Sequence, residues 1–168
     1  MAPRDAATHT APIWCVSVHD THPRGYLEFD LKDVLAALGP RVTEHWWLMT
    51  DLDCTGEAAQ PLRRAVEATQ GKGLVLSGSE LVAASQDIFQ TIDGTVFALP
   101  PSLTATGEAA ARKISRADVL YETAPLVIVA VDSSYFDVLT RDEHDVQRLR
   151  ARFRDVREQD ASYYLTVR

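Results

Sequence analysis

The chain has 168 residues and a formal net charge of −7, and 46% of its residues are hydrophobic. This size and composition indicate one soluble globular domain with room for a substantial core. Residues 1–106 hold 13 acidic and 7 basic residues, whereas residues 107–168 hold 11 and 10. Nucleic acids and anionic membranes bind to positive surfaces, so we expect neither as the main partner; a basic protein partner suits this charge better.

The sequence contains no recognisable export or membrane signal. The N-terminal stretch MAPRDAATHTAP lacks the apolar segment of a secretory signal, and no apolar run approaches the roughly 18 residues that span a bilayer. We therefore expect a cytoplasmic protein in which Cys15 and Cys54 are reduced thiols. The 14 arginines against 3 lysines are typical of a GC-rich bacterial genome.

The first predicted elements are a strand and a helix. Residues 1–11 are predicted to be a disordered tail, and IWCVSV (13–18) then alternates as a strand does. The stretch DLKDVLAALGP (30–40) has the apolar spacing of a helix. Asp30 is a suitable N-cap for it, and Gly39 a suitable terminator.

The middle of the chain predicts an alternation of strands and helices. The predicted elements are a strand over 46–49, a helix over 57–71, a strand over 73–77, a helix over 77–94 and a strand over 95–99. The first strand is expected to end at the polar sequence DLDCTG. Ser77 and Glu80 have the spacing of a capping box, and the Asp93-Gly94 pair is predicted as a turn.

The last third predicts an irregular excursion followed by a hairpin and a helix. The excursion covers 100–124 and includes a short helix near 107–113. PLVIVAV (125–131) is so apolar that we expect a central strand, with a hairpin at DSSY and a closing helix over 142–158. The tail SYYLTV is expected to form an edge strand or to wrap the body.

Together these elements predict a single domain over residues 12–168. Its class is α/β or α+β, with a mixed sheet of about five to seven strands and about four helices. We find no internal repeat and no linker.

The most polar strand end is His19-Asp20-Thr21-His22, directly after the first predicted strand. His19, Asp20 and His22 would suit zinc if another ligand came from elsewhere, and Asp53 is a candidate because it also follows a predicted strand. In a parallel sheet these strand ends, together with Asp132, would share one edge. The simpler interpretation is that Asp20 and Thr21 satisfy backbone groups at a turn.

Three other motifs favour structural roles. LSGSEL (76–81) joins a strand to a helix, but Glu80 would repel a phosphate there. DSSYFDVL (132–139) has the residues of a tight turn and lacks a recognisable base for a nucleophilic serine. RLRARFRDVR (148–157) is predicted to be the solvent face of an amphipathic helix. None of these motifs predicts a cofactor.

Trp46 and Trp47 point to opposite sides of a strand, so one is expected in the core and the other is free to cover a second face or to anchor a partner. The acidic residues around this strand are the natural contacts for a basic protein. The predicted protein-binding residues are Glu44, Trp47, Asp51, Asp53 and Glu57.

A family resemblance lies in two blocks. IFQTIDGTVFAL (88–99) and LVIVAVDSSYFDVLTRDEHDVQRLRARF (126–153) cover a large part of the chain. They resemble small bacterial α+β proteins in which a helix–DG–strand unit precedes an apolar strand, a hairpin and a closing helix. Such proteins often resemble the immunity proteins of polymorphic toxin systems. The resemblance implies a non-enzymatic inhibitor and carries no active-site residue.

Two functions from different classes remain open at this stage. The first is a non-enzymatic cytoplasmic protein-binding module, most concretely an immunity-type inhibitor whose partner is a basic protein such as a toxin. The alternative is a small metal-dependent hydrolase that uses His19, Asp20 and His22. A third reading is a subunit of an obligate assembly in which Trp47 or the YYL tail packs on a partner.

Overall fold

A computed structural model describes residues 12–105 and 107–166, so the predicted tail over 1–11 lies outside the described residues. The strands are β1 Trp14–Val18, β2 Trp46–Thr55, β3 Leu74–Ser77, β4 Gln90–Ala98, β5 Leu126–Val131, β6 Tyr135–Thr140 and β7 Val156–Glu158. The helices are α1 Leu31–Leu38, α2 Gln60–Ala68, α3 Gly78–Ser85, α4 Pro101–Thr104, α5 Glu108–Ala111, α6 Glu143–Arg152 and α7 Ser162–Leu165. Two 3-10 turns cover Gly39–Glu44 and Arg116–Asp118.

All seven strands form one sheet in the order β3-β2-β4-β5-β6-β1-β7. Every neighbouring pair is antiparallel, so the fold is α+β and its sheet is antiparallel rather than mixed. Every second strand therefore runs the same way, and β2, β5 and β1 end at the same end of the sheet. Four strand spacings separate the ends of β2 and β1, which is roughly 19 Å.

One face of the sheet is covered by helices. The N-cap of α1 predicted at Asp30 is present, and Asp33 makes it a capping box; Gly39 ends this helix at a φ of 66°. Val34, Leu35 and Leu38 of α1 are buried in the same core as residues of α3 and α6. This first face is the main core of the domain.

The second face is covered over only part of its area. The segment 100–124, predicted as an irregular excursion, lies over the start of β2 and the end of β4. Val119 and Tyr121 from this segment pack in one cluster with Leu48 and Phe97 of the sheet. The excursion is thus a second layer, which explains why Leu48 and Phe97 are buried although they point away from the helices.

Several predicted boundaries are wrong for identifiable reasons. β2 continues through the polar sequence to Thr55, because Leu52 and Cys54 point into the core while the aspartates between them point out. The helix predicted over 77–94 ends at Ser85, and its second half belongs to β4, which pairs with β2. The Asp93-Gly94 pair therefore lies within a strand.

The C-terminal part also differs from the prediction. The closing helix ends at Arg152, and Val156 is in β7, which is the edge strand beside β1. The tail forms the short helix α7 and wraps the body. The central position of β5 and the β5–β6 hairpin are confirmed. Within the described ranges, no helix is long and apolar enough to cross a membrane.

Candidate functional site

Four exposed aspartates lie on the uncovered part of the second face, and we call this surface the acidic face. Its members are Asp51, Asp53, Asp93 and Asp132. Asp53 and Asp93 are directly opposite in the β2–β4 ladder, and the carboxylate of Asp93 accepts a hydrogen bond of 2.8 Å from the backbone N–H of Asp132. Three adjacent strand segments thus place their carboxylates side by side.

Strand alternation and a bulge produce this arrangement. The β2–β4 register shifts between Met49 and Asp51, and beyond this shift Leu52 and Cys54 point to the helices. Asp51 and Asp53 are therefore forced to the opposite face, because side chains of a strand alternate. The carboxylates of Asp51 and Asp53 therefore both lie on the uncovered part of the second face.

The β5–β6 turn supplies the fourth carboxylate. Asp132 and Ser133 both have positive φ angles, 45° and 55°, as a tight two-residue hairpin turn requires. Aspartate tolerates this left-handed conformation better than most residues. The N–H of Ser133 donates to the carbonyl of Ile92 at 2.8 Å, so the turn is fastened to β4 beside Asp93.

The acidic face is only partly neutralised within the chain. Desolvation raises the pKa of Asp51, and the charge of Asp93 raises it further, although Arg116 acts in the opposite direction. Arg63 lies 3.6 Å from Asp53 but is shared with Glu67, at 3.0 Å. The carboxylates of this face can therefore form further ion pairs with positive groups of a partner.

Three tyrosines border the acidic face. Tyr121 packs edge-on against Phe97 at 4.9 Å and against Tyr164 at 5.4 Å, and Tyr163 packs edge-on against Tyr164 at 5.1 Å. Tyr163 is nevertheless 70% exposed. An exposed aromatic ring beside charged groups is a common anchor in protein interfaces.

The structure brings together only two of the predicted binding residues. Asp51 and Asp53 lie on the acidic face, and Glu57 is exposed in the loop beyond the end of β2. Glu44 lies before the start of β2, so the length of that strand, roughly 30 Å, separates it from Glu57. A single compact binding surface around both Glu44 and Glu57 is therefore not present in the fold.

The prediction of Trp47 as a binding residue is wrong. Trp47 is 0% exposed, and its indole N–H donates to the carbonyl of Val42 at 2.8 Å, so it is a core residue. The other tryptophan, Trp46, lies on the second face, half-buried beneath the guanidinium of Arg112 at 5.2 Å. The prediction that the two rings face opposite sides is confirmed.

The three side chains of the alternative metal site face different neighbours. The ring of His19 stacks on Tyr135 at 5.0 Å, and that of His22 stacks on Tyr26 at 4.5 Å. Among residues 12–105 and 107–166, no group of three or more His, Cys, Asp and Glu is placed to hold a metal ion. Asp53 and Asp132 do not complete this set: β2 ends four strand spacings from the end of β1, and Asp132 lies in the β5–β6 turn, two strand spacings away.

Asp20 and Thr21 satisfy backbone groups, as the simpler interpretation predicts. The Asp20 carboxylate accepts from the N–H groups of Arg154 and Asp155, at 2.8 and 2.7 Å, and the Thr21 hydroxyl donates to the carbonyl of His19. The partners of Asp20 are remote in sequence. Asp20 thus fastens the β1 end to the chain that follows α6.

Burial, followed by the nearby charge of Arg157, lowers the pKa of His19 below its ordinary value. Within the described part of the chain, its buried Nε2 atom has no hydrogen-bond partner.

The arginine-rich segment 148–157 is neutralised by ion pairs within the chain, although only its first three arginines belong to α6, which ends at Arg152. Each of the five arginines has an acidic partner: Arg148 with Asp145, Arg150 with Glu158, Arg152 with Asp33, Arg154 with Glu28 and Arg157 with Asp155. This pairing supports the prediction of an ordinary solvent face and leaves little excess positive charge for nucleic acid.

Sequence reasoning missed Asp93, Asp132 and Tyr163 as members of one surface. Both aspartates were assigned to turns, and only the strand pairing shows that they adjoin Asp51 and Asp53. An available signal was the alternation Asp51-Leu52-Asp53-Cys54, which is typical of a strand with one polar face.

Compared with known proteins, the chain matches no protein-family model, no curated protein and no solved structure.

Proposed function

We propose that this chain is a non-enzymatic protein-binding module that binds a basic protein through the acidic face. The observation that carries the proposal is the cluster of four exposed aspartates on the uncovered part of a sheet that is otherwise packed on both sides. Asp93 has a structural role there, since it accepts from the N–H of Asp132, but the mutual repulsion of four carboxylates disfavours their clustering. A cationic partner would convert this repulsion into attraction.

The acidic face has the rigidity that a binding surface needs. Asp51 and Asp53 stand on the part of β2 that pairs with β4, Asp93 stands opposite Asp53 on β4, and Asp132 stands on a turn fastened to β4. Little conformational entropy is therefore lost when a partner binds. The clustered charge also speeds association with a basic target and makes the rate sensitive to salt.

The most specific form of the proposal is a cytoplasmic immunity-type inhibitor of a bacterial toxin. Its support is the resemblance of residues 126–153 to immunity-like proteins, since this block forms the apolar strand, hairpin and closing helix of that pattern. Residues 88–99 do not form the helix–DG–strand unit of the pattern, because Asp93-Gly94 lies within β4. The 126–153 block contains the Asp132 turn, which supplies one carboxylate of the acidic face. The geometry does not favour the metal-dependent hydrolase, because His19, Asp20 and His22 face three different neighbours.

Affinity capture from cells that carry the gene tests the proposal. The baits are the wild-type chain, a face variant in which Asp51, Asp53, Asp93 and Asp132 become Asn, and a control variant. The control neutralises four exposed acids outside the face, Asp87→Asn, Glu122→Gln, Glu143→Gln and Glu158→Gln, so that both variants lose the same charge.

The expected result is a stoichiometric basic protein on the wild-type and control baits that is depleted on the face variant. Expression of that protein alone should arrest growth, and co-expression with the wild-type chain should restore it. Equal capture by the face variant would refute binding through this face. If capture depends on the acidic face but the captured partner does not affect growth, the proposal of a protein-binding module is upheld. The proposal of a toxin inhibitor is then refuted.

A further inference from the structure

A second cleft opens on the same sheet face, between β1, β6 and the C-terminal segment. Its volume is about 290 Å³, and the residues that line it include Ser17, Asp137 and Asp160 and the tyrosines Tyr135, Tyr163 and Tyr164. None of the proposed functional residues above lies in it except Tyr163, which borders both sites. We call it the Asp137 cleft.

Asp137 lies at the base of this cleft and is 5% exposed. One of its carboxylate oxygens accepts from the hydroxyl of Ser17, and the other accepts from the hydroxyl of Tyr164. Both donors are neutral. Since a carboxylate has about four acceptor positions, the two hydroxyls leave each oxygen of Asp137 with acceptor capacity for a further donor.

No basic residue lines the cleft, and among the described residues neither Asp137 nor Asp160 forms an ion pair. Arg157 lies opposite Ser17 in the β1–β7 ladder, but its guanidinium is paired with Asp155. Burial, with the charges of Asp137 and Asp160, raises the pKa of the neighbouring Cys15 to about 12. Burial and the bond to Asp137 also raise the pKa of Tyr164.

The lining has the composition of a site for a planar cation. Tyrosine faces attract cations, and two carboxylates without a counter-ion attract them further. A guanidinium group matches this lining better than an ammonium group. It supplies two parallel N–H donors to a carboxylate and is flat enough to lie against an aromatic ring.

We propose that the Asp137 cleft binds a guanidinium group, the side chain of an arginine presented by the basic partner. The origin of the arginine rests on the proposed function, whereas the affinity of the cleft for guanidinium does not. Tyr163 connects the two sites: it lies near Tyr135 in the cleft and near Tyr121, which is itself close to Asp51. An arginine in the cleft would thus be a specific anchor beside the less specific acidic face.

The test uses the full chain and N-acetyl-L-arginine amide as the probe, followed by NMR of isotope-labelled tyrosine at constant ionic strength. The matched control ligand is N-acetyl-L-citrulline amide, which has the same shape without the charge. We expect saturable shifts of Tyr135, Tyr163 and Tyr164 with the arginine probe, and a dissociation constant on the order of 1 mM. N-acetyl-L-lysine amide should bind more weakly.

Two variants locate the probe within the cleft. Asp137→Asn removes the charge but keeps an acceptor oxygen for one of the two hydroxyls and offers an N–H donor to the other, so binding should weaken about tenfold. Tyr163→Ala removes an exposed ring whose loss leaves the core intact, and it should weaken binding severalfold. Tyr26→Ala, at an exposed tyrosine that does not line the cleft, is the control and should change nothing.

Shifts that do not saturate, that are equal with the citrulline control, or that persist unchanged in both cleft variants would overturn the proposal. The outcome is separable from that of the proposed function, since no partner is present. Arginine binding in the cleft together with equal capture of a partner by the acidic-face variant would uphold the cleft and refute the face.

Discussion

Asp51 carries a charge that the folded state disfavours. Its carboxyl group is partly desolvated and close to Asp93, so its folded-state pKa lies above its ordinary value. A raised carboxyl pKa means that the folded chain binds more protons than the unfolded chain between the two pKa values. The stability of the fold therefore falls as the pH rises through that window, and the loss is complete above it.

We expect Asp51→Asn to stabilise the fold at neutral pH while it weakens partner binding. The gain in the free energy of unfolding should disappear as the pH falls below the ordinary pKa of aspartate. There the carboxyl group of Asp51 is protonated in the wild type, so position 51 is uncharged in both proteins. Urea denaturation across pH 3–7 measures this, with Asp87→Asn as a control for the loss of one surface charge. A stabilisation that is independent of pH would show that Asp51 is not strained in its charged form.

Asp20 provides the opposite case, a carboxylate that the fold needs. Asp20→Ala would leave the buried N–H groups of Arg154 and Asp155 without their acceptor. We expect a loss of about 2–3 kcal/mol in the free energy of unfolding, measured by urea denaturation. His22→Ala, at a half-exposed ring stacked on Tyr26, should cost less than about 1 kcal/mol. Similar costs for both variants would contradict the assignment of Asp20 as the structural residue of this segment.

At the scale of elements, α3 is held against the 3-10 turn that follows α1. A Cβ atom on Gly78 would lie 2.1 Å from the carbonyl oxygen of Val42 and 2.6 Å from the Cα of Thr43. Both neighbours are backbone atoms, so no side-chain movement relieves the contact. The close approach of two backbones is the reason that glycine occupies the first position of this helix.

Gly78→Ala is therefore expected to destabilise the fold by about 2 kcal/mol or more, although alanine favours helices intrinsically. The measurement is thermal or urea unfolding. Ser79→Ala, at the next and exposed position of α3, is the matched control and should change the stability by less than about 0.5 kcal/mol. If both variants behaved alike, the close packing of α3 on the turn would be wrong.

At the scale of the whole molecule, local sequence patterns predicted individual helices and strands better than they predicted which strands are paired. The helix from Leu31 to Leu38 was predictable because its cap, apolar spacing and terminal glycine all agree. The extension of β2 and the assignment of residues 90–94 to β4 depend on pairing between remote segments. Asp53 and Asp93 are 40 positions apart, and no local propensity reports that they are opposite each other.

The candidate site was predictable only in part for the same reason. Asp51 and Asp53 were identified from their charge and their place near a strand. Trp47 was assigned to binding wrongly, because alternation shows that two adjacent rings face opposite ways but does not show which face is covered. The cover over the second face comes from 100–124, whose lack of periodicity concealed its role.

The central claim is that the acidic face, as one unit, binds a basic protein. The most direct test is the dissociation constant of the captured partner, measured at 50 and 200 mM salt for the wild-type chain, the four-aspartate face variant and the four-acid control. At low salt we expect the face variant to bind the partner at least about 100-fold more weakly than the wild-type chain and the control do. We also expect its dissociation constant to become nearly independent of salt. Equal affinities and equal salt dependence for the face variant and the control would contradict it.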